Sequence, residues 1–380
     1  MGGLPFTEGH EIFRKTVRDF AEKELFPHQK EWEKGKSFPR EIFGRAAELG
    51  LFGVVYPEEL GGSGGDYWYK VVACEEMIRA RMAGMVMDLF AHSDIATPVI
   101  SEIGSEAQKK EFLVPAIKGE KIGALGITEP GAGSDVANIS TTAKKEGSDY
   151  VINGAKTFIT NGTRADFITL AVRTGDKGYQ GISLILFPTD TKGFTAMPIK
   201  DKLGNHSSDT AELHFENCRI PARYLLGDEN AGFIYIMQNF QGERLVGALM
   251  ANASAQLAVE DAMAYARQRE AFGRPLIKLQ VWRHRFADLL SQIEASRCLT
   301  YHAVDLFNRK EECVAEVSMA KLISCDLANR IAYDCLQIHG GYGYTEEYDV
   351  ARYSRDVRLL TIGGGASEIM KEIIAKRFGM

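Results

Sequence analysis

The feature that most constrains this chain is a double change in its hydrophobic period. Over 8–25 the apolar residues Ile12, Phe13, Val17, Phe20, Ala21 and Leu25 recur at three- and four-residue steps, as in a helix with one apolar face, and Pro27 reads as its stop. The same spacing runs through 40–49, closed by Gly50, and through 67–79 and 106–117, so the first 120 residues read as all-α. Between Ile122 and Pro221 the period shortens. The segments 149–152, 156–160, 166–173, 182–187 and 211–215 are short, rich in β-branched or aromatic residues, and punctuated by Gly, Asn and Pro. They predict an antiparallel β region, with Asn153-Gly154 read as a two-residue hairpin turn. After Pro221 long helical stretches return at about 230–266, 280–309, 311–338, 345–360 and 366–378. The expected fold is a multi-domain α+β chain in three blocks. These are an N-terminal α-helical domain over 1–121, a middle antiparallel β-barrel or sandwich domain over 122–229, and a C-terminal four-helix-bundle-like α domain over 230–380.

Composition narrows the function. With 45 basic and 51 acidic residues the net charge is −6, which gives no electrostatic footprint for nucleic acid or an anionic membrane surface. The six cysteines are scattered, without a C-x-x-C pair, and fit a reducing compartment better than a disulfide scaffold. No apolar run approaches the roughly 18 residues of a membrane span, and the N-terminus has no signal-peptide pattern. The expectation is a cytoplasmic protein, or one of an organelle matrix if the native chain carried a removed transit peptide.

The common nucleotide and metal motifs are absent: no P-loop, no G-x-G-x-x-G opening a helix, no H-E-x-x-H. Gly61-Gly62-Ser63-Gly64-Gly65 satisfies G-x-S-x-G, but Pro57-Glu58-Glu59-Leu60 precedes it where a nucleophile elbow needs a strand, so a surface turn is the better reading and a serine hydrolase the weaker rival. Gly126-Ile127-Thr128-Glu129-Pro130-Gly131-Ala132-Gly133-Ser134-Asp135 follows an apolar strand with three glycines and two hydroxyls, and its amides could cradle an anion or serve only a turn.

In context this stretch resembles the acyl-CoA dehydrogenase family, whose L-G-I-T-E-P-G-A-G-S-D run stands here at 125–135. The resemblance continues through 153–162 (NGAKTFITNG), 267–273 (RQREAFG), 337–341 (QIHGG) and 368–374 (EIMKEII), covering essentially the whole chain in family order. It implies FAD as cofactor, an acyl-CoA substrate, an electron-transfer flavoprotein as partner, and a homo-oligomer, a tetramer by family habit. It assigns Leu125, Ile127, Thr128, Gly133, Ser134, Phe158, Ile159 and Thr160 to the flavin, with Ser134 also at the substrate. Arg269, Phe272 and Gln280, together with Gln337, Gly340 and Gly341 from a neighbouring subunit, are assigned to the diphosphate and adenosine. Ala366 and Ser367 match further flavin positions, although Ala366 replaces the usual hydroxyl residue.

Most members of the family carry their catalytic glutamate in a Tyr-Glu-Gly-Thr tetrapeptide near the C-terminus; here Gly363-Gly364-Gly365-Ala366 aligns with it. Either the chain is a silent relative, or it belongs with the long-chain and isovaleryl-CoA dehydrogenases, which place the base on an earlier helix. Glu243 in Gln241-Gly242-Glu243-Arg244-Leu245 matches that earlier position. Its helical neighbours three and four residues away, Asn239, Phe240, Val246 and Gly247, are not basic, and Arg244 points about 100° around the helix. A carboxylate buried without a cationic partner has a raised pKa, which suits a general base near neutrality. The backbone N–H of Gly364 is the implied oxyanion donor, and Arg244 an implied substrate contact. His92 and Asp94 read as structural hydrogen-bonding residues, His339 as a capping or interface residue, and Glu294 with Arg297 as an ordinary solvated pair. The implied reaction is conversion of an acyl-CoA to its trans-2-enoyl-CoA. A long-chain substrate, a branched short one of the isovaleryl type, and a non-enzymatic flavin-binding relative remain as the three alternatives.

Overall fold

The computed structural model describes residues 5–380. Its first block is helical: α1 (Glu8–Asp19), α2 (Trp68–Met77) and α3 (Ala83–Phe90), with further helical pieces, Glu41–Glu48 among them, between and after. Pro27 does not stop the first of these. It sits in a 3₁₀ turn over Phe26–His28, and helix resumes at Gln29–Gly35, because proline in a first turn leaves no needed N–H unmade. After α3 the chain widens into a π-helical turn over Ala91–Ala96, which contains His92 and Asp94.

The middle block is one eight-stranded sheet. Its strands are β1 (Gly123–Gly126), β2 (Thr142–Glu146), β3 (Asp149–Thr160), β4 (Phe167–Arg173), β5 (Ile182–Pro188), β6 (Phe194–Pro198), β7 (Thr210–Pro221) and β8 (Leu225–Leu226). The order is β6-β7-β3-β2-β4-β5-β8, mainly antiparallel, with β1 joining β4 in parallel. The predicted hairpin at Asn153-Gly154 is corrected by the structure, since these residues lie inside the continuous strand β3. Gly154 marks a register shift against β7, and a Cβ there would stand 2.5 Å from Thr141 Oγ1, so glycine serves close approach at a bulge. The two-residue turn is instead Gly147-Ser148, where Glu146 pairs with Asp149 and Gly147 takes φ +64°.

The last block holds α4 (Gly232–Gln268), α5 (Gln280–Asn308), α6 (Val314–His339), α7 (Asp349–Asp356) and α8 (Ser367–Arg377). Two buried apolar cores result. One unites the helical blocks from both ends of the chain, with Val71, Met77 and Met85 packed among Leu245, Leu249, Leu327 and Ile331. The other fills the β region and is sealed by Ile100, Phe112 and Leu113. Each such side chain contributes roughly 1.5–3 kcal/mol on burial, so α4, which enters both cores through Leu245 and Ile236, is fixed along its length. No helix among the described residues is long and apolar enough to cross a membrane.

Candidate active site

The Gly-rich loop after β1 is built around one carboxylate. Glu129 Oε1 accepts from the Thr141 N–H at 2.9 Å and Lys156 Nζ at 2.8 Å, while Oε2 accepts from the Ser140 N–H at 2.6 Å and Ser140 Oγ at 2.7 Å. Lys156 also donates to the Ile127 carbonyl at 2.9 Å, and the Thr157 N–H to the Thr128 carbonyl at 2.9 Å. Burial would push the Glu129 carboxyl up, yet Lys156 and the other donors hold it down at about 2. Burial brings Lys156 down to about 8 against the opposing pull of Glu129. The pair pins the loop to β3, leaving Gly133, Ser134 and Asp135 exposed beyond it.

Sequence-predicted positions on β3 divide by face. Ile159 is buried in the β core, so only its backbone is free for a ligand; Leu125, Thr128 and Thr160 are half-buried and Ile127 is buried. Phe158 is thrown out by a second register shift, 67% exposed with φ +58°. Phe272 resembles it. It opens the two-residue turn of the hairpin Glu270–Ala271 with Arg274–Pro275, 93% exposed at φ +54°. A bulky residue in the left-handed region is a genuine strain, and the other non-glycine residues there among those described are Asn, Lys and Arg. Two strained, exposed phenylalanines therefore lie at positions assigned to a cofactor.

Arg269, Gly340 and Gly341 line one cleft of about 420 Å³ together with Tyr265, His339 and Tyr342. The Arg269 guanidinium lies 6.0 Å over the Tyr342 ring, and His339 stacks on Tyr265 with centroids 4.3 Å apart. His339 Nδ1 is 2.7 Å from the Cys335 carbonyl. Gln280 and Gln337 are exposed and do not line this cleft.

Glu243 lies in the N-terminal third of α4. Its Oε2 is shielded from solvent with no hydrogen-bond partner, and no salt bridge reaches it among the described residues. The triple glycine is brought beside it: a Cβ on Gly364, at φ +64°, would stand 3.4 Å from Glu243 Oε1. Burial pushes the Glu243 carboxyl up to about 7, against the opposing charges of Arg244 and Lys321. Arg244 is buried, its Nε unpartnered and its guanidinium 5.7 Å from the Phe240 ring. Ala366 is the N-cap of α8 and makes no side-chain cap bond; Ser367 Oγ donates to Asp326 at 3.1 Å.

Glu243 does have cationic neighbours, contrary to the helical-spacing expectation: Arg244 acts on it most, despite lying about 100° around α4, and Lys321, on the facing helix α6 and 78 positions away, acts after it. Lys321 is 2% exposed and donates to the Gly365 carbonyl. His92 behaves as expected: the Gly123 N–H donates to Nδ1 at 2.9 Å, so Nε2 carries the proton and donates to the Ala116 carbonyl at 3.0 Å. Burial brings His92 down to about 4, which keeps it neutral. Asp94 pairs with the buried Lys70 at 3.0 Å. Ser63 stands in a turn after the 3₁₀ piece Glu58–Leu60, with backbone bonds to Gly53, Tyr56 and Val54 around it, and lacks the strand-to-helix setting a hydrolase nucleophile requires.

An α–β–α chain with two strained, exposed phenylalanine turns, a Gly-rich loop pinned by a buried ion pair and an unpartnered carboxylate oxygen on its longest helix fits a cofactor-dependent enzyme, and comparison with known proteins names the class. The acyl-CoA dehydrogenase N-terminal, middle and C-terminal domain models match residues 7–120, 124–218 and 230–379. The chain belongs to the acyl-CoA dehydrogenase family and is a flavin oxidoreductase. The long-chain specific acyl-CoA dehydrogenase of Sus scrofa mitochondria is 41% identical over 98% of this chain and 86% of its own length. The acyl-CoA dehydrogenase of Geobacillus kaustophilus has a TM-score of 0.95 at 40% identity, covering 99% of each chain. A glutaryl-CoA dehydrogenase of Mycobacterium smegmatis, solved in complex with FADH2, has a TM-score of 0.93 at 30% identity over 98% and 95%.

Proposed function

We propose that this enzyme converts a long-chain fatty acyl-CoA to its trans-2-enoyl-CoA, with Glu243 taking the α-proton. The observation that carries the reading is the unpartnered Glu243 Oε2, shielded from solvent and standing beside the positive-φ Gly364. A carboxylate with no donor of its own keeps its acceptor capacity for substrate, and a pKa near 7 leaves it partly ionised at neutral pH. The Gly364 N–H is suited to an oxyanion because the missing side chain leaves the amide in place beside the base.

The residues fit FAD. Phe158 and Phe272 hold strained, solvent-exposed conformations that a bound planar ring system would cover, and the exposed 133–135 turn and the Arg269 cleft offer amides and a guanidinium to a diphosphate. When bound, FAD supplies the acceptor for the β-hydride. Leu125, Ile127, Thr128, Gly133, Ser134, Phe158, Ile159 and Thr160 would hold one end of it; Arg269, Phe272, Gln280, Gln337, Gly340 and Gly341 would hold the other from a neighbouring subunit. In support, the cleft at Arg269 is lined wholly by residues of the last helical block. Ala366 and Ser367 would approach from the start of α8. Arg244 would contact the substrate near the base.

The three blocks are assigned as domains over 1–121, 122–229 and 230–380, the assembly as a homotetramer, and the electron acceptor as an electron-transfer flavoprotein. The chain-length assignment leans on the 41% identity to a protein named long-chain specific. Anaerobic titration of the yellow protein with palmitoyl-CoA, octanoyl-CoA and isovaleryl-CoA tests it: palmitoyl-CoA should bleach the flavin band fastest. Fastest bleaching by isovaleryl-CoA would move the substrate to the branched class. Glu243→Gln should slow bleaching by about 10³-fold, and an unchanged rate would sink the base assignment.

A further inference from the structure

Three lysines among the described residues are 2% exposed or less: Lys70, Lys156 and Lys321. Burying an ammonium is costly unless it is paired. Lys70 has Asp94 at 3.0 Å and Lys156 has Glu129 at 2.8 Å, but Lys321 has no carboxylate within salt-bridge distance. Its one side-chain hydrogen bond goes to the carbonyl of Gly365, next to Gly364, whose Cβ position stands 3.4 Å from Glu243 Oε1.

That single bond falls on the loop with most freedom to move. Gly363, Gly364 and Gly365 are consecutive glycines, the latter two at positive φ, and a glycine run has the largest backbone entropy to lose on ordering. The flanks of the loop are tied to the same helix: Asn329 donates to the Val357 carbonyl at 3.0 Å, and Asp326 accepts from Ser367 Oγ at 3.1 Å. Between these ties, Lys321 is the α6 side chain that bonds the glycine run itself.

We propose that Lys321 is a positioning residue for the base: its ammonium fixes the Gly365 carbonyl, sets the three-glycine loop against Glu243, and adds to Arg244 a second positive charge near the base. The inference rests on the assignment of Glu243 as base. The charged and titratable groups facing Glu243 are Arg244 on its own helix, Lys321 on α6, and Tyr67 just before α2, whose hydroxyl is 3.5 Å from the Gly242 carbonyl; the glycine loop contributes none. Removing the Lys321 charge disfavours the ionised base, so the rising limb of the pH–rate profile must move to higher pH.

The experiment compares FAD-loaded wild type with Lys321→Met, Lys321→Gln, Lys321→Arg and Glu243→Gln. Flavin reduction by whichever of palmitoyl-, octanoyl- or isovaleryl-CoA bleaches the wild type fastest is followed across pH 6–9, and hydrogen exchange is followed over residues 357–370. Lys321→Met should lower the limiting reduction rate by about tenfold with half-saturation nearly unchanged, move the rising limb up by about one pH unit, and speed amide exchange at 363–366. Lys321→Gln keeps a donor without the charge, so it should retain slow exchange yet show the shifted limb, and it carries the test if the Met variant fails to fold. Lys321→Arg should restore both readouts. A wild-type limb in the Met and Gln variants, or unchanged exchange in the Met variant, overturns the proposal. The underlying assignment fails separately, by wild-type reduction rates in Glu243→Gln, and the exchange readout still decides whether Lys321 holds the loop.

Discussion

Glu129 and Glu243 are the same residue type, the first buried and the second half-buried with one carboxylate oxygen shielded, yet one is held at about 2 and the other pushed up to about 7. The difference lies in the donors. Glu129 sits where the segment leading into β2, at Ser140 and Thr141, and Lys156 on β3 turn backbone N–H groups, a hydroxyl and an ammonium toward one point, and its two oxygens accept four bonds. Glu243 sits on a helix whose own N–H groups are already spent in the helical ladder, facing a loop of glycines that offers no side-chain donor. Converging donors at the strands β2 and β3 satisfy a buried acid and make it structural; a helix face against glycine leaves one unsatisfied and able to take a proton. The chain thus separates the carboxylate that shapes its loop from the one proposed as the base.

The sharpest way to break this comparison is to make the same substitution in both. Glu243→Gln should cut flavin reduction by about 10³-fold, roughly 4 kcal/mol of transition-state stabilisation, with no loss of folding stability. Glu129→Gln leaves Lys156 buried without its counter-charge and should lower unfolding free energy by about 3 kcal/mol, measured by denaturant titration, with loosened cofactor retention as a consequence. Equal stability losses in the two variants would show that Glu243 is structural after all.

Proton linkage sharpens the contrast further, because the two acids carry opposite signs. The Glu129 carboxyl is lowered from its ordinary 4.5, so its stabilising contribution is complete above about pH 4.5 and is lost as pH falls toward 2. The Glu243 carboxyl is raised, so the folded chain binds its proton more tightly than the unfolded chain. Its ionisation is destabilising, fully so above pH 7, and the penalty vanishes below about 4.5. Wild type should therefore lose stability relative to Glu243→Gln as pH rises from 4.5 to 7, by on the order of 2–3 kcal/mol, seen as a widening gap in Tm. The gap for Glu129→Gln should stay flat over that window and close only in acid.

These two sites were unequally legible in the sequence. The α–β–α order, the long helices and the 125–135 loop could be read because period and turn residues are local properties. The Gly154 bulge was misread as a hairpin because Asn-Gly satisfies both, and only the approach of Thr141, a tertiary fact, decides between them. Glu243 is singled out in the sequence by its match to a known alternative position and by its want of basic neighbours at helical spacing. Lys321 was missed because it meets Glu243 through the packing of α6 on α4, and nothing in its flanking residues marks it from a surface lysine. Glu129 went unremarked for the same reason: its partners Ser140, Thr141 and Lys156 converge only once β2 and β3 have paired.

The smallest effect concerns the helix that begins beside Glu243. Ala366 occupies the N-cap of α8 in the extended conformation a capping residue adopts, φ −57° and ψ 156°, but has no oxygen to offer the first-turn N–H groups. Ala366→Ser adds that acceptor without demanding a backbone change, and should raise unfolding free energy by about 1 kcal/mol, read from denaturant midpoints at constant slope. Because the cap lies two residues after Gly364, the same substitution probes how stiff the glycine loop already is. If Lys321 and Asp326 hold the segment in place, the serine should stabilise the fold and leave the pH–rate profile unmoved. A gain in stability accompanied by a displaced rising limb would mean instead that the start of α8 helps set the environment of Glu243, and the separation between structural and chemical carboxylates would have to include the cap.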